Sequence, residues 1–345
     1  MCTSFTITSR KGHVVYGRTM EFTLQLHSDV IVFPKGASLT GTGKAGEPGV
    51  GGRAWTATHA AVGMNALGLE MIVDGVNDAG LVVAAFNFPI SAEFVEIADA
   101  QQTDAIACHE VGHFLLTTCE DVAEVRAALD RVPVHGPRLA AYGGQVPMIH
   151  FSIHDAAGNS IVAEWTNGRL DVYDNPTTVL TNEPPFPSQL DNLAQYSYMT
   201  AEPAPAIELP GLTLKSPSSG GGMQSLPGGF IATNRFVRAF WAARCAPAFD
   251  TAEEGVVFAR HILNGFDIPP GSVITPAGEG ESGGVEGWEM TEWSIVHDTA
   301  GRAMYVNTFE HQGWTRVDLA GIADGLTEVT TAKLPERDRY TELVR

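Results

Sequence analysis

Positive charge is scarce in this sequence. Its 345 residues carry 21 Lys and Arg against 40 Asp and Glu, a formal charge of −19, and the few basic residues form no run. Nucleic acid and anionic membrane surfaces both require clustered positive charge, so both are excluded as partners. An anionic substrate would have to be met by individually placed arginines. Cysteine is scarcer still. Cys2, Cys108, Cys119 and Cys245 are too few and too unevenly spaced to frame a chain of this length with disulfides, and they read as reduced thiols. There is no apolar run of membrane-spanning length, and no charged segment leading into a short apolar one opens the chain. The expectation is a soluble protein, cytoplasmic as written and periplasmic if an export signal was removed beforehand. No internal repeat stands out.

What is present suits a folded protein. A hydrophobic share of 44% with 18% charged residues leaves no room for a disordered chain. The first hundred residues alternate as paired strands do: residues 3–9 and 13–17 flank a Lys11-Gly12 turn, and residues 30–34, 60–65, 71–73 and 81–87 continue the pattern. Turn signals fall at Asp74-Gly75 and at Asn77-Asp78-Ala79-Gly80. From 98 to 129 the apolar spacing becomes helical and predicts two helices, the second opened by Asp121 as N-cap with Glu124 three positions on. Strands are predicted again at 148–154, 160–165 and 169–173, helices at 236–243 and 253–264, and a last strand pair at 293–298 and 303–308. Two segments rich in Gly interrupt this pattern: residues 202–229, an excursion with Pro and Ser, and residues 271–287, a loop long enough to border a site. Runs of strands and helices of one kind throughout predict a single α+β domain over residues 2–345, with sheets covered by helices.

Two sets of residues carry chemistry. Removal of Met1 would leave Cys2 with a thiol and a free α-amine, and an amine titrating near pH ~8 serves as a general base without a histidine. One residue would then hold nucleophile and base, although a lone Cys specifies little. Arg18 and Glu21 follow the second predicted strand and could fold back beside the N-terminus, where the guanidinium would favour a thiolate; alone, the pair reads as a solvated surface pair. The competing motif is His109-Glu110-Val111-Gly112-His113, a literal H-E-x-x-H that on a helix would hold Zn²⁺. Gly112 weakens the very turn that should be rigid, and no third ligand is evident, so ordinary helical histidines are the favoured reading.

The ordered motifs Cys2-Thr3-Ser4, Gly17-Arg18-Thr19-Met20, Asp74-Gly75-Val76-Asn77-Asp78-Ala79-Gly80-Leu81, Asn87-Phe88-Pro89, Asn175-Pro176, Val179-Leu180-Thr181-Asn182-Glu183-Pro184 and Leu226-Pro227-Gly228-Gly229, the last leading into Asn234-Arg235-Phe236-Val237-Arg238, resemble the choloylglycine hydrolase family. That family contains bile salt hydrolases and penicillin V acylases. The resemblance continues through Thr291-Glu292-Trp293 to Tyr305-Val306-Asn307-Thr308. It implies a four-layer αββα N-terminal nucleophile hydrolase fold, with two mainly antiparallel sheets between helix layers, and hydrolysis of a linear amide C–N bond in an N-acylated small molecule. No cofactor or metal is implied.

Residue by residue, the resemblance makes Cys2 the nucleophile and Arg18 the arginine beside it. It places Asn182 as a side-chain oxyanion donor, Asn87 as a backbone N–H donor, and Arg235 as the remaining active-site arginine. Glu21 stands where the family usually has an aspartate that binds the α-amine, a departure of one methylene. Arg238, one turn beyond Arg235, reads as structural. The acyl side should be bulky and apolar, with Met20, Phe22, Leu67, Phe86 and Phe88 as candidate lining. Asn87 resembles the bile salt hydrolases, which are favoured; Glu21-Phe22 is similar to members acting on penicillin V or acyl-homoserine lactones. The stretch near 192–224 lies where the family carries an assembly loop, so a homotetramer is implied. A zinc hydrolase built on His109 and His113, or a binding protein with an unreactive Cys2, are the alternatives from other classes.

Overall fold

The computed structural model describes residues 1–276 and 286–337, and two large antiparallel sheets dominate it. The first has five strands hydrogen-bonded in the order Cys2–Thr8 (β1), Val14–Phe22 (β2), Met290–Asp298, Ala303–Thr308 and Thr315–Asp318. The second has eight, from Arg169–Asp174 through Ser160–Thr166, Ile149–His154, Val82–Asn87, Asp74–Asn77, Ala61–Met64 and Val30–Phe33 to Thr330–Ala332. All the pairings within both are antiparallel. Helices α4 (Ala232–Arg244) and α5 (Ala252–Leu263) pack on the five-stranded sheet, and α1 (Val111–Thr118) packs on the eight-stranded one. This is the four-layer N-terminal nucleophile architecture expected from the motifs. Among the described residues, no helix is long and apolar enough to cross a membrane.

The layering explains why β1 and β2 are buried almost throughout instead of alternating. One face of each strand meets helices and the other meets the second sheet, so neither face can be polar unless its groups are partnered. At the first hairpin, Gly12 takes φ +84°, which only a residue without Cβ adopts cheaply. Phe5 and Gly17 are cross-strand partners, and the Phe5 ring fills the space a Gly17 side chain would need, since a Cβ there would stand 2.9 Å from it. β2 extends to Phe22, because Met290–Asp298 pairs along its other edge. Arg18 and Glu21 are therefore strand residues, and do not fold back from a loop.

Asp74-Gly75, expected as a turn, instead opens a central strand. Gly75 serves close approach: a Cβ there would meet the Val62 carbonyl at 2.6 Å and the Gly63 Cα at 3.1 Å. The segment from 98 to 110 also departs from expectation. It forms short 3₁₀ turns and a two-residue strand, Ile106–Ala107, parallel to Val134–His135, and helix begins only at Val111. The predicted cap of α2 (Val122–Arg131) is present, with Asp121 accepting from Glu124 N at 2.9 Å. Glu124 turns back to Glu120 N, at 2.8 Å.

The Pro/Gly-rich excursion follows α3 (Phe186–Ala194) and carries a small ribbon, Ile207–Leu209 with Leu212–Leu214, turning at Gly211. Of the 271–287 loop, residues 277–285 lie outside the described residues.

Candidate active site

Cys2 stands at the first position of β1, buried, opposite Met20 on β2. Strand alternation puts Arg18, two positions before Met20, on the same face of β2. Arg18 Nη2 donates to Cys2 Sγ at 3.2 Å and to Ala85 O at 2.7 Å. Its Nη1 donates to Val73 O at 3.2 Å and meets Asp74 Oδ2 at 3.3 Å. The guanidinium lies 4.5 Å from the centre of the Phe86 ring and 5.2 Å from that of Trp293. Burial alone would make Arg18 easier to deprotonate, but the charges of Cys2, Asp74 and Tyr16 reverse this and hold it above its usual value. A permanent cation thus touches the sulphur, where it stabilises negative charge.

Asp74 is the anion behind that cation. Its Oδ2 also accepts from Tyr16 OH at 2.9 Å, and its Oδ1 is 2.6 Å from His297 Nε2. Burial and then the Asp74 charge push the Tyr16 hydroxyl well above the usual phenol range. The same Asp74-Gly75 pair reads as a turn in sequence, so its part in the site was missed. Only the long-range partners Arg18, Tyr16 and His297 reveal it.

On the other side of Cys2, Asn182 Oδ1 accepts from Cys2 N at 2.8 Å and from Arg235 Nη2 at 2.8 Å. Asn182 Nδ2 donates to Asn87 O at 2.8 Å, which uses one of its two hydrogens. Arg235, in the first turn of α4, donates through Nη1 to Cys2 O and to Thr3 Oγ1, the latter at 2.7 Å, and through Nε to Phe230 O at 2.6 Å. Arg238 instead ties down the preceding loop, donating to Gly229 O at 2.8 Å and to Pro227 O at 3.3 Å.

Met1 precedes β1, and its carbonyl accepts from Glu21 N at 2.9 Å. Its ammonium donates to Glu21 O at 2.6 Å and pairs with Glu289 Oε2 at 2.9 Å. Glu21 is fully buried; Oε1 accepts from Thr291 Oγ1 at 3.0 Å and Oε2 has no hydrogen bond. Burial raises the Glu21 carboxyl above the usual range, while Arg235 and the N-terminal ammonium pull it down. Without Met1, the nitrogen held by Asn182 Oδ1 would be the terminal amine of the chain.

Cys2 and Asn87 border a narrow apolar pocket of about 80 Å³, below the ~300–1,000 Å³ usual for sites that enclose a drug-sized ligand. Met20, Phe22 and Leu67 line it as expected. Phe86 and Phe88 do not: Phe86 packs against Arg18, and the Phe88 ring stacks on His150 at 4.2 Å. Leu26, Met71, Leu139, Tyr142 and Ile149 take their place, drawn from separate segments whose convergence no local pattern announces. Burial pushes the Tyr142 hydroxyl up to about 12, so it stays a neutral hydrogen-bonding group.

The other reactive groups are accounted for. Burial pushes the Cys108 thiol up and the Cys119 thiol to about 11, which leaves both protonated and inert at neutral pH. The H-E-x-x-H segment does not present two histidines on one helix, because His109 lies in a 3₁₀ turn before α1. Glu110 is consumed by Thr42 N, Thr42 Oγ1 and Ala107 N. His113 stacks between Phe33 and Trp55. Burial lowers His109 to about 4 and His113 to about 3, and Gly112 is required because a Cβ would meet the Ile72 carbonyl at 2.2 Å. Among the described residues, no group of three or more His, Cys, Asp and Glu side chains could hold a metal ion.

Comparison with known proteins agrees with this geometry. A family model described as linear amide C–N hydrolases, choloylglycine hydrolase family, matches residues 2–323. A bile salt hydrolase/transferase of Clostridium perfringens is 25% identical over 323 residues, 92% of each chain. A conjugated bile acid hydrolase of Lactobacillus acidophilus is 26% identical over 314 residues, 89% of this chain and 92% of that one. In fold, the chain is similar to a solved conjugated bile acid hydrolase of C. perfringens, with TM-score 0.83 at 24% identity over the whole of both chains. It is also similar to penicillin V acylase of Agrobacterium tumefaciens, with TM-score 0.76 at 19% identity over 97% of this chain and 92% of that one.

Proposed function

This chain belongs to the choloylglycine hydrolase family of linear amide C–N hydrolases, and on that premise we propose that it cleaves N-acyl amides through Cys2. The observation that carries the reading is the position of Cys2 Sγ: at the wall of an apolar pocket, with a buried guanidinium donating to it and an asparagine amide holding the adjacent nitrogen.

In the processed enzyme the Cys2 α-amine takes the thiol proton as sulphur attacks the amide carbon, and passes it to the departing amine. Asn182 Nδ2–H and the Asn87 backbone N–H receive the charge developing on the carbonyl oxygen. Water, deprotonated by the same α-amine, then attacks the thioester and releases the acid. Arg18 steadies the charged sulphur, Arg235 fixes Asn182 and the β1 carbonyl, and Glu21 holds the α-amine as an ammonium when it is protonated. Glu21 carries the same charge as the family aspartate, and its buried, unbonded Oε2 is the atom available for this contact.

Conjugated bile salts are the substrate class favoured by Asn87 and by the names of the relatives. One observation favours a second reading, an unsubstituted aryl or alkyl acyl chain as in penicillin V or acyl-homoserine lactones. Among the described residues that line the pocket, only Asn87 and Tyr142 besides Cys2 are polar, few for a polyhydroxylated steroid. A panel of glycine- and taurine-conjugated bile salts, penicillin V and acyl-homoserine lactones, run on wild type and Cys2→Ser, tests both. Turnover of one class, abolished in the variant, is expected; equal turnover by the variant would end the cysteine mechanism.

A homotetramer accompanies this reading. In the 207–214 ribbon, Ile207 pairs with Leu214 and Leu209 with Leu212, so four exposed aliphatic side chains share one face, with Glu208 and Thr213 on the other. Light scattering on Leu212→Asp should report smaller particles than wild type.

A further inference from the structure

Of the two groups proposed to receive the oxyanion, Asn87 ends the strand Val82–Asn87 and Asn182 lies in a loop, and one buried histidine touches a chain neighbour of each. His150 lies on the strand Ile149–His154, with no solvent exposure. Its ring stacks face to face on Phe88, the residue after Asn87, with centroids 4.2 Å apart and planes 2° from parallel. Its Nε2 is 3.0 Å from the carbonyl of Thr181, the residue before Asn182. Its Nδ1 is 2.9 Å from Glu164 Oε1, and Glu164 in turn accepts from Phe186 N at 3.0 Å, at the start of α3. We propose that the His150–Glu164 pair is the positioning unit of the oxyanion hole, setting Asn87 and Asn182 at a fixed separation. The inference rests on the amidase reading above.

The roles follow from counting protons. A carbonyl only accepts, so Nε2 must carry a hydrogen and donate it to Thr181 O. One further proton lies between Nδ1 and Glu164, whichever of the two holds it, and both side chains are then satisfied. That matters because neither has access to water. The ring cannot turn without breaking both hydrogen bonds and the stack. Two further ties join the same two segments: Asn182 Nδ2 to Asn87 O, and the Glu183 carboxylate, which accepts from Ile90 N at 2.9 Å and Ser91 N at 2.8 Å. His150 differs from these in acting from the strand Ile149–His154, and so ties Phe88 and Thr181 to the sheet as well as to each other.

His150→Phe keeps a planar ring for the stack and removes both hydrogen bonds. His150→Gln offers an amide N–H where Nε2 stood. Turnover and Cys2 alkylation by iodoacetamide are measured side by side, because alkylation forms no tetrahedral oxyanion. Expected for His150→Phe is a fall in kcat of about 10-fold or more, with KM and the Cys2 alkylation rate within about 3-fold of wild type. His150→Gln should recover most of the lost kcat. Wild-type kcat in His150→Phe would overturn the proposal, as would equal loss in both variants, or loss of kcat and alkylation by one factor. If His150→Phe does not fold, His150→Gln alone decides: alkylation near wild type with kcat within about 5-fold supports the proposal, and joint loss overturns it. A crystal structure gives a readout independent of turnover. If Asn182 and Asn87 keep their wild-type positions in either variant, the positioning role is wrong even though the amidase reading stands. If wild type hydrolyses no amide, that reading fails, and the same structural comparison still decides the positioning role.

Discussion

On the sulphur side of the site the groups around Cys2 are charged. Arg18 donates to Sγ at 3.2 Å, Asp74 lies behind Arg18, and Glu21, Glu289 and Glu292 stand around the N-terminus. On the carbonyl side the groups facing the reaction are neutral amides, Asn182 Nδ2 and the Asn87 backbone, held by hydrogen bonds and a ring stack. The contrast matches what each side must do. Sulphur needs negative charge stabilised as its proton leaves, which a fixed cation already in contact with it does without rearrangement. The oxyanion exists only in the intermediate and its flanking transition states, so neutral dipoles held in place serve it without adding a charge that the resting site would have to balance. Alkylation of Cys2 reads the first side alone, and amide turnover reads both, so the pair of assays can break the comparison.

The largest effect should come from Cys2→Ala, with turnover lower by at least about 10³-fold and no labelled N-terminal peptide. Peptide mapping is needed, because Cys245 is exposed and will also react. Next is Asn182→Ala, which removes a proposed oxyanion donor: kcat should fall about 10²- to 10³-fold while Cys2 alkylation stays within about 3-fold. Parallel losses in the two assays would show that Asn182 serves mainly to hold the Cys2 nitrogen, and the division of labour would fail.

Third is the sulphur side itself. Arg18→Met alone would leave the buried Asp74 with only Tyr16 and His297 as partners, so the informative variant is Arg18→Met with Asp74→Asn, which removes the cation and its counter-ion together. Alkylation at pH 7 and kcat should then fall by the same factor, about 10-fold. A fall in kcat with unchanged alkylation would move Arg18 to the carbonyl side.

These tests also mark where sequence was legible. Cys2, Arg18, Asn182 and Arg235 converge in space as their motifs implied, because each lies in or beside a regular element whose pattern is local: the β1–β2 hairpin for the first two, the start of α4 for the last. Asp74 was misread because Asp-Gly is a turn signal, and nothing local distinguishes a turn glycine from one required by the close approach of Gly63. The pocket was half legible. In the strand Val82–Asn87, Ala85 and Asn87 face the pocket, so Phe86 between them has the opposite parity, and register of that kind is decided by pairing with distant strands. His150 looked like an ordinary strand residue, since its partners lie at Phe88, Glu164 and Thr181.

The smallest effect tests whether the charged side is also the pH-sensitive one. Glu292, on the strand beside β2, accepts from Leu26 N through both carboxylate oxygens, at 3.2 and 3.1 Å, and Leu26 lines the pocket. Burial raises its carboxyl from 4.5 to about 7, while the Leu26 hydrogen bond and the N-terminal ammonium pull the other way. A carboxyl whose folded value lies above its unfolded one contributes stability that is fully present below about 4.5 and lost as pH rises through about 7. At pH 8 the buried charge should therefore cost about 1–3 kcal/mol relative to a neutral group of the same shape. Glu292→Gln keeps an acceptor for Leu26 N and cannot ionise. Thermal unfolding should find it more stable than wild type at pH 8 and nearly equal at pH 4.5. A variant less stable than wild type at pH 8 would mean that attraction to the N-terminal ammonium outweighs desolvation, and that the negative charge at position 292 is part of the charged side's balance.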